Sequence, residues 1–131
     1  MKSGFQTNLA TELKEGCDNI WIVTKPLVYW SELLSCQIEV PVSFYTDFAS
    51  VPRVPVFYEL WGNRAHREAV LHDYLYRIDS VPVVTKSQAD KVFPEAMKST
   101  GKSWYIRWPM YSGVVLAGSG AYHKRKVGDV L

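Results

Sequence analysis

The spacing of apolar and polar positions divides the chain into a β part followed by a helical part. Residues 19–28, NIWIVTKPLV, are dense in β-branched and aromatic side chains and predict a short strand that Pro26 ends or confines to a sheet edge. In CQIEVPVSFYTDF the pattern alternates. Ile38, Val40, Val42 and Phe44 fall on one face, while Gln37, Glu39, Pro41 and Ser43 fall on the other, which predicts a half-buried antiparallel strand. The following ASVPRVPVFYELWGN, with its prolines and glycine, reads as an ordered loop.

From Asn63 the period lengthens. Asn63 suits a helix N-cap, and Ala65, Ala69, His72 and Tyr76 recur on one face of a helix running to about Ile78. A turn over Ser80–Val84 leads to TKSQ, where Thr85 and Gln88 have capping-box spacing. Ala89, Phe93, Ala96 and Met97 continue a second helix to about Thr100, with Gly101 as its stop. Pro94 lies inside this helix and leaves the Asp90 carbonyl without its usual N–H. WYIRWPMYSGVVLAGSGAYH is apolar enough for a third, buried helix, and the tail HKRKVGDVL is expected to be solvated and frayed. The expected fold class is α+β, a small antiparallel sheet packed against an antiparallel helical hairpin plus a third helix.

Length and composition narrow the function. A chain of 131 residues with 47% hydrophobic and 21% charged residues is expected to form one domain, 1–131, with a core of its own. The net charge of +2, with acids and bases mixed along most of the chain, argues against nucleic acid as a partner. No apolar run has the length of a membrane span, and MKSGFQTNLATELKEG lacks the pattern of a signal peptide. Cys17 and Cys36 are not spaced as a metal-binding pair, and free thiols are the default. Most of the five Trp, eight Tyr and five Phe are expected to fill the core.

The candidate chemistry sits in AVLHDYLY. With antiparallel helices, Asp90 near the start of the second lies beside the later turns of the first, where His72 and Asp73 sit. Tyr76 is one turn beyond His72 on the same face, whereas Asp73 lies about 100° round the helix, with His66, Val70 and Arg77. The imidazole is thus aimed at the partner helix, and the Asp73 carboxylate at a loop, a cation or an arginine. FYTDFASVPR supplies the loop, with Asp47 flanked by Thr46 and Ser50. Two readings stand side by side. In one, an Asp and a Tyr hydroxyl satisfy a buried His, and Asp73 pairs with Arg67 or Arg77. In the other, removing three carboxylates and an imidazole from water is costly enough to imply a site. Nothing like a nucleophile elbow surrounds Ser50, and the GSG at 118–120 is too short for a phosphate loop.

The segments IEVPVSFYTDFASVPR, AVLHDYLYR and QADKVFPEAMKSTG, in this order and spacing, resemble a family of small proteins of unassigned function found in tailed bacteriophages and prophages. The likeness rests on Thr46–Pro52, Ala69–Tyr76 and Ala89, Asp90 and Phe93, and covers roughly residues 38–101. Ser43 stands where that family usually has glycine, which bears on the local strand conformation. The resemblance implies a phage accessory or virion protein, tail or tail-tip associated, in contact with other tail proteins as an oligomer or part of an assembly. Its location would be the virion or the host cytoplasm.

A weaker likeness, HDxxY alone, is to the secreted phospholipases. Carried over by position, it implies His72 as the base, Asp73 as a ligand to a divalent cation, and Asp90 with Tyr76 as the orienting pair. The glycine-rich calcium loop and the disulfides of that family are absent here. The polar cluster itself motivates the corresponding function, a small metal-assisted hydrolase using Asp47, His72, Asp73 and Asp90 on an ester, an amide or a nucleotide, with Asp47 and Asp73 on the metal.

Overall fold

In a computed structural model, described over residues 2–16, 20–46, 66–117 and 122–129, two antiparallel sheets of three strands each precede three helices. This is the expected α+β class. Strands β1 (Gly4–Phe5), β4 (Leu27–Ser31) and β5 (Cys36–Val40) form one sheet in the order β1-β4-β5. Strands β2 (Thr11–Leu13), β3 (Trp21–Val23) and β6 (Tyr45–Thr46) form the other, in the order β2-β3-β6. The helices are α1 (His66–Leu75), α2 (Lys86–Ser99) and α3 (Trp104–Ala117).

The single strand expected over 19–28 is two strands in different sheets. Pro26 has no N–H to give a ladder, so β3 stops at Val23 and β4 starts at Leu27, pairing Leu27 with Val40 and Ser31 with Cys36. Strands β1 and β2 have no counterpart in the sequence reading, because two or three residues are too few to carry a period.

The alternation after Cys36 holds for Ile38, Val40 and Phe44, all buried, and fails at Val42, which is 50% exposed. The chain turns here. Pro41 accepts from the Phe44 N–H, and Ser43 takes φ +70 while donating its N–H to the Val23 carbonyl at 2.7 Å. The departure from glycine at Ser43 thus falls on a left-handed residue.

α1 is buried nearly all round, with seven of its ten residues inside, rather than on one face. It ends at Leu75, three residues short of Ile78, because the C-terminal segment crosses its end. The Ile78 N–H donates to the Arg125 carbonyl at 2.9 Å, and the His123 N–H to the Tyr76 carbonyl at 2.8 Å. The tail is therefore fastened to the body over 122–129 and does not fray there. Tyr122 donates to the Val84 carbonyl, and the Val127 N–H bonds Asp79 Oδ1 at 2.7 Å. Backbone groups at the C-end of α1 are thus satisfied by the C-terminal segment, which a frayed tail could not do.

α2 follows the sequence closely. Thr85 caps it with the full capping box to Gln88, and Pro94 is accommodated within it. At its C-end the Lys102 N–H returns to the Met97 carbonyl and the Gly101 N–H to the Lys98 carbonyl, with Gly101 at φ +83. That pair of bonds is a Schellman motif, and it needs a residue comfortable in the left-handed region.

Two clusters make the core. One joins Val23, Leu27, Tyr29, Ile38 and Phe44 of the β part to Val70, Leu71, Leu75, Val92 and Ala96 of the hairpin. The second, Ala69, Phe93, Met97, Ile106, Met110 and Val114, fixes α3 on the hairpin. Asn63, the loop at 47–62 and the GSG at 118–120 lie outside the described residues.

Candidate functional site

The helical hairpin brings His72, Tyr76 and Asp90 together, as their spacing implies. His72 Nε2 lies 2.9 Å from Asp90 Oδ1, which also accepts from the Tyr76 hydroxyl. Lys86, one turn before Asp90, donates from Nζ to Oδ2 at 2.7 Å and to the Val115 carbonyl of α3 at 3.2 Å. His72 and Asp90 are each 2% exposed. The imidazole packs at a tilt against the Tyr76 ring, 4.2 Å between centroids, and against Phe93 at 5.3 Å. Tyr122 meets Tyr76 edge-on, so the C-terminal segment closes the group from outside.

The electrostatics follow from these contacts. Burial pushes the Asp90 carboxyl up, but the hydrogen bonds from His72, Lys86 and Tyr76 outweigh it and hold the group below the ordinary carboxylate value. An ionised Asp90 can only accept, so Nε2 of His72 carries the shared hydrogen. Base chemistry at His72 would then fall to Nδ1 of a ring sealed in the core. Burial first, then the hydrogen bond and charge of Asp90, push the Tyr76 phenol far above its usual range, so its proton stays in place.

Asp73 points elsewhere, as its position 100° round the helix implies. Its Oδ2 accepts from Thr46 Oγ1 at 2.7 Å, so α1 is tied to the end of β6. The two arginines considered as partners lie over rings: Arg67 is 5.3 Å from the Phe5 centroid and Arg77 is 5.2 Å from Phe44, with an N–H to the Tyr45 carbonyl. Asp47 and Ser50 lie outside the described residues, as does Cys17, while Cys36 is a half-buried free thiol. His66, half-buried, opens α1. Among the described residues no three His, Cys, Asp or Glu side chains converge as metal ligands, and Asp47, the expected partner of Asp73, lies outside them.

Three groups were missed by the sequence reading. Lys86 was legible in principle, since it stands four residues before Asp90 on the same helix. Glu68, 1% exposed, accepts from Thr100 and, at 2.9 Å, from Lys102, tying α1 to the end of α2. Glu95 accepts from the Tyr29 hydroxyl, Ser31 and the Leu33 N–H, tying α2 to β4 and the turn after it. No local pattern marks Glu68 or Glu95, because their partners lie 32 or more residues away. An open cleft of about 550 Å³ is lined by Lys2, Ser3, Glu32, Glu95, Lys98 and Ser99. None of His72, Asp73, Tyr76 or Asp90 lines it.

The fold and the buried cluster define a small α+β domain whose helical hairpin is pinned by a His–Asp–Tyr–Lys network. A family model described as a protein of unknown function, DUF1353, matches residues 21–114, and the chain belongs to that family. No curated protein and no solved structure matches it.

Proposed function

We propose that this chain is a bacteriophage accessory or virion component, tail or tail-tip associated, that acts by binding rather than by catalysis. The observation that carries the binding reading is the closure of the His72–Asp90 group. Three donors converge on Asp90, and both residues are 2% exposed. A general base has to reach the proton it removes. A group of this kind instead fixes the relation of two helices, which is what a binding surface on a rigid scaffold needs. The phage assignment draws its support from the TDFASVP, HDYLY and ADKVF segments and their resemblance to small proteins of tailed phages and prophages.

The test is mass spectrometry of purified particles from a phage encoding this chain. Stoichiometric recovery with tail proteins is expected, and its absence from intact particles sinks the virion assignment. A His72→Gln variant that folds is expected to support assembly and infection at the level of the wild type. A collapse of infectivity with the protein still folded and incorporated would favour the hydrolase reading instead.

A further inference from the structure

α3 is apolar on both sides. Ile106, Met110 and Val114 face the hairpin and are buried, as a helix packed on one neighbour requires. The opposite side carries Trp104 at 66% exposure, Trp108 at 60% and Leu116 at 83%, with Tyr105 and Val115 also exposed. At 100° per residue these five span an arc of roughly 120° with no charged side chain in it. At roughly 150–250 Å² for each aromatic ring system, their exposed parts total about 500 Å², the upper end of what a monomer leaves bare.

Cations outnumber acids around this face: Glu68 is held by Lys102, and Asp79 and Asp129 accept from backbone N–H groups of Val127 and Lys126. From Ala96 to Gly128 the sequence has six cations, Lys98, Lys102, Arg107, Lys124, Arg125 and Lys126, and no acid. They gather at both ends of α3. Lys98 and Lys102 precede its first turn, and at the other end Lys86 bonds the Val115 carbonyl. Tyr122 bonds the carbonyl of Val84, two residues ahead of Lys86, so the exposed run 124–126 starts at that same end.

We propose that the outer face of α3 and its flanking cations dock on an anionic lipid bilayer surface. An aromatic and aliphatic stripe with cations at its margins suits the boundary between headgroups and acyl chains, where Trp and Tyr rings sit by preference. A second copy of the chain fits poorly, because α3 itself has no acid, and pairing it with itself sets the more numerous cations at its ends against each other. Single-stranded nucleic acid fits poorly, because Val115 and Leu116 have no ring on which a base can stack. A protein partner normally adds about one hydrogen bond per 100–200 Å², and this arc offers only Ser112 and the ring N–H and O–H groups. A bilayer asks for none. No helix among the described residues is long and apolar enough to cross a membrane, so the contact is peripheral.

The experiment is co-sedimentation of the full chain with vesicles of phosphatidylcholine and phosphatidylglycerol in equal parts, beside vesicles of phosphatidylcholine alone. Binding is expected on the anionic vesicles, with a blue shift of Trp emission, and is expected to weaken at about 0.5 M salt as charge is screened. The triple variant Trp104→Gln, Trp108→Gln, Leu116→Gln should lose at least ~tenfold in partition coefficient with its circular dichroism and melting unchanged, since these side chains are exposed. Lys98→Gln with Lys124→Gln and Lys126→Gln should lose the preference for phosphatidylglycerol. Failure of the wild type to bind anionic vesicles overturns the proposal, whether the face then proves to serve self-association or an acidic polypeptide. Equal binding by the wild type and the triple variant overturns it too. Particle mass spectrometry is independent of this outcome, so a virion protein that ignores vesicles ends this inference and leaves the earlier one standing.

Discussion

Asp90 is the residue on which the hairpin turns. Three donors from two helices converge on one carboxylate, so Asp90→Ala leaves an imidazole, a phenol and an ammonium group without their acceptor. Breaking a buried charged network by removing one partner costs about 3–5 kcal/mol, and urea unfolding of Asp90→Ala is expected to show a loss of this size. Tyr76→Phe removes one donor and leaves Asp90 with two, so its loss should be smaller, about 1–2 kcal/mol. The pH dependence has a definite sign. The folded carboxyl titrates below the ordinary value of 3.8, so its contribution is complete above that pH and is lost as pH falls through the lower folded value. Melting followed from pH 6 to pH 2 should therefore show an acid limb that is shallower in Asp90→Asn. An identical limb in both proteins would mean that Asp90 is not a source of acid sensitivity.

At the scale of elements, two backbone positions separate what the sequence states from what it conceals. Gly101 stands at φ +83 in a Schellman motif, and Gly101→Ala should cost about 1 kcal/mol in thermal or urea unfolding. Ser43 stands at φ +70 without glycine's freedom. Ser43→Gly is expected to stabilise by about 0.5–1 kcal/mol, since the relief of a left-handed β-carbon exceeds the added entropy of the unfolded chain. α2 was readable almost to the residue because its determinants, the Thr85–Gln88 box and Gly101, are local. The end of α1 was not, because the Arg125 carbonyl that takes the Ile78 N–H comes from 47 residues away.

At the scale of the whole molecule, the C-terminal segment acts as a clasp across the end of the hairpin. Removing residues 122–131 would free the backbone groups of Tyr76 and Ile78, strip the Tyr122 ring from Tyr76 and open the His72–Asp90 group to water. The truncated chain is expected to melt at least ~5 °C lower, and the backbone amides near the end of α1 should lose protection from hydrogen exchange. A truncation with the melting point of the full chain would reduce the segment to a surface ornament. α3 completes the molecule differently, with one apolar side in the second core cluster and the other turned outward.

What the sequence determined by itself was the order of β part and helical part, the class of fold, the limits of α2 and the meeting of His72, Tyr76 and Asp90. All of these follow from periods, caps and a short connection, which act over a few residues. It also placed Asp73 on a different side of α1 from His72, because the helix repeat fixes that angle whatever surrounds it. Tertiary structure alone decided that Asp73 bonds Thr46, that Glu68 and Glu95 anchor the hairpin, that the tail is fastened, and that α3 is bare on one side. Each of these depends on which distant groups remain unsatisfied when the elements are brought together, and a buried N–H or carboxylate takes whatever partner the packing delivers, wherever it lies in the chain.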